Sequence, residues 1–227
     1  MLPEVHYSAI RKLRLKISFQ NIVPVPLLER NTSNSEIWNK ELELESDKKI
    51  LVTAPSGSGK STFSHILYGL RSDYQGNYLL DGVNSHTFAW QAWTGYRQHA
   101  ISIMFQDLRL FSTLSALENL MLKASLTDGA YRDQIEQMAS ALHIADKLGQ
   151  KVANLSIGER QRVALIRSLL QPFDWLILDE PFSNLDHDNI TAAVALINQS
   201  CNKNEGGLIA CQLHPDELFD YDLKLKL

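Results

Sequence analysis

The chain has 227 residues and a formal net charge of -4, and 44% of its residues are hydrophobic. These values are ordinary for one globular domain with a sizeable core, and the charge does not favour a nucleic-acid partner. No run approaches the roughly 20 apolar residues of a membrane-spanning helix, and the start lacks the apolar stretch of a secretory signal. Cys201 and Cys211 have no metal-ligand spacing, so we expect buried thiols in a cytoplasmic protein.

Short strands are predicted in the first part of the chain, where apolar and polar residues alternate. The apolar positions are Leu13, Leu15, Ile17, Phe19, Leu42 and Leu44. Residues 78–80 form a similar run that ends at the turn signal Asp81-Gly82, and the proline- and serine-containing residues 24–35 predict a loop. We expect a small antiparallel sheet on the flank of the domain.

A strand, a glycine-rich loop and a helix are predicted in succession after residue 49. Residues 50–53 form a short apolar strand that leads directly into the loop. Beyond the loop, one helix face carries apolar side chains at the i, i+3, i+4 and i+7 positions, which are Phe63, Ile66, Leu67 and Leu70. This order is typical of a phosphate-binding loop.

The middle of the chain, residues 92–172, is predicted to be mainly helical. Ile135, Met138 and Leu142 share one helix face, and Gly129 and Gly149 are plausible helix boundaries.

The last part predicts a parallel sheet. Residues 175–178 and 208–211 are apolar runs of the length of buried parallel strands. Residues 189–202 between them predict a crossover helix, and alternating leucines at residues 223–227 predict an edge strand. The order of elements predicts an α/β fold.

The glycine-rich loop is expected to bind a nucleoside triphosphate. Gly57 and Gly59 allow backbone amides to face the phosphates, Lys60 pairs with the β- and γ-phosphates, and the Ser61 hydroxyl is a ligand for Mg²⁺. Alanine at position 54 replaces the usual first glycine, which is tolerated if that residue does not need a positive φ. The loop residues are Ala54, Pro55, Ser56, Gly57, Ser58, Gly59, Lys60, Ser61 and Thr62.

Two carboxylates follow the strand at residues 175–178. Asp179 at the strand end is expected to reach Mg²⁺, usually through water. Glu180 points in another direction and is expected to polarise the attacking water as a general base. Ser156 and Glu159 match a helix capping box, and that local sequence alone predicts no more than a well-capped helix.

Together these motifs resemble those of the ATP-binding cassette (ABC) ATPases, in the family's order along nearly the whole chain. Residues 155–159 resemble the signature loop, and Gln106 resembles the residue of the Q-loop. Residues 183–186 resemble the D-loop, and His214 resembles the switch histidine.

The resemblance implies a single domain at residues 1–227, with a RecA-like P-loop NTPase core, a flanking antiparallel β subdomain and a helical subdomain at about residues 92–172. It implies Mg²⁺-dependent ATP hydrolysis with Glu180, His214, Gln106 and Lys60 as catalytic residues. Ser61, Gln106 and Asp179 would bind the metal. Besides residues 54–62, the residues expected at the nucleotide are Ser156, Gly158, Glu159 and Asp186.

The resemblance also implies two partners. A second cassette pairs head to tail with the first, so that Ser156 and Gly158 of one subunit cover the ATP at Lys60 of the other. An integral membrane permease subunit receives the motion, which implies a cytoplasmic protein on the inner face of the membrane.

Two features, the signature loop and the adenine contact, depart from the family pattern or match it weakly. Ile157 stands where the signature loop usually has glycine, and a β-branched residue stiffens that loop. Family members stack adenine on an aromatic residue in an early strand. Phe19 is the nearest candidate here, although Asn21 is another possible alignment and Trp38 a weaker choice.

Residues 105–119 are similar to the subgroup that serves lipoprotein release, macrolide-type export and cell division. Apolar groups at Leu110, Phe111 and Leu114 would fit a groove for the membrane subunit or belong to the core of the helical subdomain. Two other functions stay open: a soluble cassette of the cluster-assembly type, and a degenerate cassette that only binds nucleotide.

Overall fold

The computed structural model describes residues 14–30, 32–55, 57–126 and 131–227. The strands are β1 (Ile17–Pro24), β2 (Glu41–Leu44), β3 (Lys49–Thr53), β4 (Tyr74–Leu80), β5 (Val83–Asn84), β6 (Ile101–Met104), β7 (Trp175–Asp179), β8 (Gly207–Gln212) and β9 (Leu223–Lys226). The helices are α1 (Lys60–Leu67), α2 (Trp90–His99), α3 (Ala116–Ala124), α4 (Arg132–Ala141), α5 (Ile157–Leu169) and α6 (His187–Asn204). The predictions for Leu13, Ser56 and Gly129 lie outside the described residues.

Two sheets form the frame of the molecule. A parallel sheet has the strand order β6-β7-β8-β3-β9, and an antiparallel sheet has the order β2-β1-β4-β5. The predicted flanking sheet, the buried parallel strands, the crossover helix and the final edge strand are therefore confirmed. β7 is buried along its whole length, as expected for a strand covered on both faces.

Three strands of the parallel sheet end at almost the same level. Thr53 at the end of β3 pairs with Gln212 of β8, and Asp179 at the end of β7 pairs with Cys211 of the same strand. The segments that follow β3, β7 and β8 therefore leave the sheet side by side. In open α/β sheets, ligands bind at this carboxyl edge.

The antiparallel sheet packs against the parallel sheet and α1 through an aromatic cluster. Phe19 is only 1% exposed and makes edge contacts with Phe63 and Tyr78, and Trp38 is equally buried beside Phe63. Both side chains fill the core, so the predictions that Phe19 or Trp38 stacks on adenine are wrong. Asn21 is exposed and has a φ of 53°.

The helical part of the chain is shorter at its start than predicted. Residues 101–104 form β6, which is buried at the edge of the parallel sheet, within the region predicted to be mainly helical. A run of four residues is too short to separate a strand from a helix by periodicity. Similarly, Leu70 lies beyond the end of α1 and is exposed, whereas Phe63, Ile66 and Leu67 are buried as predicted.

No helix among the described residues is both long and apolar enough to cross a membrane.

Two glycines with positive φ test how tightly the antiparallel sheet is packed. Gly76 has a φ of 84°, and a Cβ there would lie 2.6 Å from the Gln20 carbonyl oxygen, whereas Gly82 has a φ of 79° and open space around it. Gly82→Ala should lower the free energy of unfolding by about 1–2 kcal/mol because of the left-handed backbone alone. Gly76→Ala should lower it by about 1–3 kcal/mol more because of the clash. Urea unfolding measures both changes. Equal losses of the free energy of unfolding in the two variants would contradict a clash at Gly76, because the sheet would then have moved to accommodate the Cβ.

Candidate active site

The loop after β3 wraps around the ammonium group of Lys60. Gly57 and Gly59 have φ values of 77° and 105°, and Gly59 is the N-cap residue of α1. Lys60 is buried, and its Nζ donates hydrogen bonds to the carbonyl oxygens of Ala54 at 2.9 Å and Pro55 at 3.3 Å. The lysine and the first amides of α1 therefore lie at the same edge, where they suit an anionic phosphate.

Ala54 fits the start of this loop without backbone strain. It is buried, does not have a positive φ, and its backbone N–H donates to the Gln212 carbonyl oxygen at 3.1 Å. A β-carbon is thus tolerated where the general motif has glycine.

Glu180 lies directly opposite Lys60. Its Oε1 is 3.4 Å from Lys60 Nζ, and both side chains are largely buried. Glu180 has a φ of 51°, in the left-handed region that non-glycine residues seldom adopt. This turn sends the Glu180 side chain toward the loop and away from the line of β7, as the sequence led us to expect.

Asp179 is a buried carboxylate that lacks a partner at one oxygen. Burial raises its pKa to about 6, while the Ser61 hydroxyl opposes the shift and Glu180 adds to it. Asp179 Oδ1 accepts no hydrogen bond, although a buried polar atom is normally paired. In this arrangement the Ser61 hydroxyl donates to Gln106 Oε1 at 3.2 Å. A cation beside Ser61 would give Asp179 the partner that it lacks, so these side chains fit a divalent metal.

That metal would need ligands from a bound molecule. The described residues contain no group of three or more His, Cys, Asp or Glu side chains that could hold a metal ion. Mg²⁺ in phosphate sites is commonly held by one or two carboxylates together with substrate phosphate oxygens.

The predicted signature residues lie at the N-terminus of α5. Ser156 Oγ accepts from the Glu159 N–H at 3.2 Å, and Glu159 Oε2 accepts from the Ser156 N–H at 2.7 Å, so the predicted capping box is present. The backbone hydrogen bond from Ser156 holds the pKa of Glu159 below its usual range. Ile157 at the helix start is 47% exposed. Across the described residues, no hydrogen bond or ion pair links Ser156 or Gly158 to the phosphate loop.

The two remaining predicted residues flank the same carboxyl edge. Asp186 is the N-cap residue of α6 and accepts from the Asn189 N–H at 2.9 Å, and this backbone hydrogen bond lowers the pKa of its carboxyl group. His214 is exposed in the segment that follows β8. The structure thus brings together Lys60, Ser61, Gln106, Asp179 and Glu180. The α5 N-terminus packs instead against the segment that follows Glu180.

Sequence reasoning missed Gln161, which is 2% exposed and joins α5 to the segment after β7. Its Nε2 donates to the Glu180 carbonyl oxygen at 3.2 Å and to Ser183 Oγ at 3.3 Å, and its Oε1 accepts from the Asn184 N–H at 3.1 Å. The available signal was a large polar residue among the buried positions of α5, where Ser168 is the other polar one.

A groove lies between the segment after β6 and the α3 region. Phe111 is 61% exposed at this groove, and Leu122 and Leu126 are also exposed apolar residues of its lining. Leu110 and Leu114 are partly buried, and Leu110 packs against the helical core. Each of the two predicted alternatives therefore holds for one residue. Phe111 lines the groove, and Leu110 belongs mainly to the core.

Basic side chains line the same groove and fix its backbone. Arg167 donates to the carbonyl oxygens of Leu108 and Arg109, both at 2.5 Å, and these two residues have φ values of 59° and 47°. The Arg109 guanidinium lies 3.8 Å from the centre of the Phe105 ring. Burial, reinforced by nearby Arg167, lowers the pKa of Lys123 to about 8. The groove is thus apolar and electropositive.

A parallel sheet with a phosphate loop and two carboxylates at its carboxyl edge defines a P-loop nucleotide-binding protein. The ABC transporter family model matches residues 38–183. The lipoprotein-releasing system ATP-binding protein LolD of Treponema denticola is 36% identical over 170 residues, which are 73% of this chain and 75% of that protein. The thiamine import ATP-binding protein ThiQ of Histophilus somni is 35% identical over 183 residues, which are 79% of this chain and 83% of that protein.

Solved structures share the fold. The dimeric structure of MJ0796, a bacterial ABC transporter cassette, has a TM-score of 0.77 at 23% identity over 92% of this chain and 94% of that chain. The post-hydrolysis dimer of the same cassette bound to ADP and Pi has a TM-score of 0.73 at 23% identity over 89% of each chain.

The chain therefore belongs to the ABC transporter family. It is an ATP-binding protein and an ATPase of the kind that serves ABC transporters. The predicted fold class and the predicted resemblance to the lipoprotein-release subgroup are confirmed.

The lowered pKa of Lys123 predicts a pH-dependent cost to stability. The protonated lysine is disfavoured in the folded state, so the cost is complete below pH 8 and disappears as pH rises toward 10.5, where the unfolded chain also loses the proton. Lys123→Met should raise the free energy of unfolding by about 1–2 kcal/mol at pH 7, after allowance for partial exposure. The gain should shrink above pH 8 in urea unfolding.

Lys203 on the exposed surface of α6 provides the matched control. Lys203→Met should change the free energy of unfolding by less than about 0.5 kcal/mol at either pH. A gain for Lys123→Met that is independent of pH would contradict the electrostatic explanation.

Proposed function

We propose that this chain is the ATP-hydrolysing subunit of a membrane transport complex and that it works as a head-to-tail pair of cassettes. The observation that carries the proposal is the convergence of Lys60, Ser61, Gln106, Asp179 and Glu180 at one edge of the parallel sheet. This is the full set of groups that phosphoryl transfer to water requires: a phosphate cradle, metal ligands and a base.

The phosphate loop binds the triphosphate. Backbone amides around Gly57 and Gly59, together with the N-terminus of α1, bind phosphate oxygens. Lys60 exchanges its contact with Glu180 for the β- and γ-phosphates. This exchange is favourable because a buried ammonium group needs an anionic partner and the phosphates provide one at close range. The other described loop residues, Ala54, Pro55, Ser58 and Thr62, complete the cradle.

Ser61, Gln106 and Asp179 would hold Mg²⁺ together with phosphate oxygens of the nucleotide. When bound, Mg²⁺ neutralises charge that develops on the phosphates. The unpaired Asp179 Oδ1 and the raised pKa of that carboxyl group support this assignment, because a carboxylate without a compensating partner suits a cation.

Glu180 is the general base, and its release from Lys60 frees the carboxylate to accept a proton from the attacking water. His214, exposed at the same edge, contacts the γ-phosphate. Asp186 at the N-terminus of α6 lies at the surface between the two cassettes.

A second copy completes the site. The capped N-terminus of α5 with Ser156, Gly158 and Glu159 covers the nucleotide at Lys60 of the other subunit, where its helix dipole favours the γ-phosphate. The dimeric structures of the MJ0796 cassette support this arrangement. Ile157 adds an exposed apolar side chain to the closing surface.

The groove around Phe111 receives a segment of an integral membrane permease, which would hold the chain at the inner face of the cell membrane. The names of the relatives support a transport role. A soluble cassette of the cluster-assembly type would have no need of a permease at this groove, and a cassette that only binds nucleotide would have no need of Glu180 as a base.

Two substitutions separate hydrolysis from binding. Glu180→Gln keeps the shape of the side chain and removes the base, so Mg-ATP turnover should fall by at least about 100-fold while nucleotide is still bound. Lys60→Ala removes the partner of the phosphates, so both binding and turnover should be lost. Phosphate release and binding of a fluorescent ATP analogue measure the two effects. Parental turnover in Glu180→Gln would overturn the base assignment.

The groove predicts association with a membrane subunit. Phe111→Ser should abolish co-purification of a polytopic membrane protein in mild detergent, because it removes the most exposed apolar contact of the groove. Trp90→Ser is the control, since Trp90 is 73% exposed at the start of α2 and is not part of the groove lining. Equal recovery of the membrane protein with both variants and the parent chain would contradict docking at this groove.

A further inference from the structure

We propose that Gln161 is a positioning residue for ATP hydrolysis, which holds the backbone of Glu180 in the conformation that presents its carboxylate. The proposal rests on the role proposed above for Glu180 as the general base. Gln161 itself is buried within the protein and acts through the residues that it contacts.

All three hydrogen bonds of the Gln161 amide lead to one segment, residues 180–184. The amide nitrogen donates to the Glu180 carbonyl oxygen and to Ser183 Oγ, and the amide oxygen accepts from the Asn184 N–H. A buried amide that is paired at both ends is rigid, because each lost hydrogen bond would leave a polar group unsatisfied. Gln161 therefore fixes the start and the end of this segment at once.

Glu180 needs such support because its backbone conformation is unfavourable. A non-glycine residue with a φ of 51° persists only where its surroundings determine the conformation. The Glu180 N–H donates to the Cys211 carbonyl oxygen at 2.9 Å, and its carbonyl oxygen accepts from Gln161. With both sides of the residue held, the side chain leaves the backbone in one direction, toward Lys60.

The start of α5 also packs directly against this segment. A Cβ on Gly158 would lie 2.9 Å from the Asn184 carbonyl oxygen, so glycine is needed there for close approach of the two backbones. Gln161 lies one helical turn further along α5. The helix start and residues 180–184 are thus one packed unit. Gln161 consequently connects the base of one site to the surface proposed to cover the nucleotide of the other subunit.

The test is the kinetics of Gln161→Met in the full-length chain. Methionine has similar length and volume but removes all three hydrogen bonds. We expect kcat for Mg-ATP to fall by about 10–100-fold, the range seen when groups that orient reacting residues are lost. KM and the affinity for a fluorescent ATP analogue should stay near parental values, because the phosphate loop is untouched. Gln161→Glu, which keeps the acceptor and loses the donor, should lower kcat similarly and serves if the methionine variant does not fold.

Gln171 is the matched control, because it follows α5 directly and is equally buried at 2% exposure. Its Nε2 donates to the Ile101 carbonyl oxygen at 3.1 Å in β6, away from Glu180. Gln171→Met removes one hydrogen bond and a buried amide oxygen that has no partner, so it should cost less stability than Gln161→Met and leave kcat at the parental value. If the two methionine variants lost kcat equally, the role of Gln161 would be a general structural one. That outcome would overturn the proposal.

Glu180→Gln separates this proposal from the one on which it rests. Loss of turnover in Glu180→Gln together with parental kcat in both Gln161 variants would overturn only the positioning role. Parental turnover in Glu180→Gln would overturn the base assignment itself. A rise in KM that accounts for the whole loss of kcat/KM in Gln161→Met would also contradict positioning, because it would indicate a defect in nucleotide binding.

Discussion

Parallel pairing of β3, β7 and β8 sets the level at which three segments leave the sheet, and the chemistry of the protein depends on that register. Thr53, Asp179 and Gln212 end their strands side by side. A shift of one residue would turn every side chain of a strand to the opposite face. Lys60 would then lose Glu180, and Asp179 would no longer lie near Ser61. The buried side chains of these strands therefore fix the site as well as the core.

The same register explains how a buried cation and two buried carboxylates are tolerated. Lys60 has two carbonyl oxygens and Glu180 as partners, so its charge is balanced, whereas breaking a buried pair is strongly destabilising. Asp179 is less well compensated, and its pKa is raised as a result. The negative charge of Asp179 is thus not fully compensated, and a bound cation would compensate it.

α5 connects this edge to more distant parts of the chain. Its N-terminus has the capping box, and Gln161 reaches the Glu180 segment one turn later. Arg162 donates to Asn189 at the start of α6, and Arg167 near the C-terminus binds the carbonyl oxygens beside the groove. The helix is buried over most of its length. A movement of α5 would therefore also displace the Glu180 segment, α6 and the backbone beside the groove.

Local sequence was sufficient for features that arise within a few residues. Examples are the capping box, the strand–loop–helix order around Lys60 and the apolar runs of the parallel strands. These features depend on hydrogen bonds within one helical turn or on the periodicity of apolar residues, and both involve residues that are close together in the sequence. The antiparallel sheet was also predicted from alternation and from the Asp81-Gly82 turn. Prediction failed for β6, where a run of four residues is compatible with either kind of element, and for Phe19, whose aromatic ring is used in the core.

Only the tertiary structure decided what depends on distant partners. Position 54 accepts alanine because its backbone is unstrained, Phe111 is exposed while Leu110 is packed, and Gln161 reaches residues about 20 positions away along the chain. The amino-acid sequence by itself determined which chemical groups the protein has and in what order they occur. The meeting of those groups was decided by strand register and helix packing, because burial of apolar surface brings together residues that are far apart in the chain.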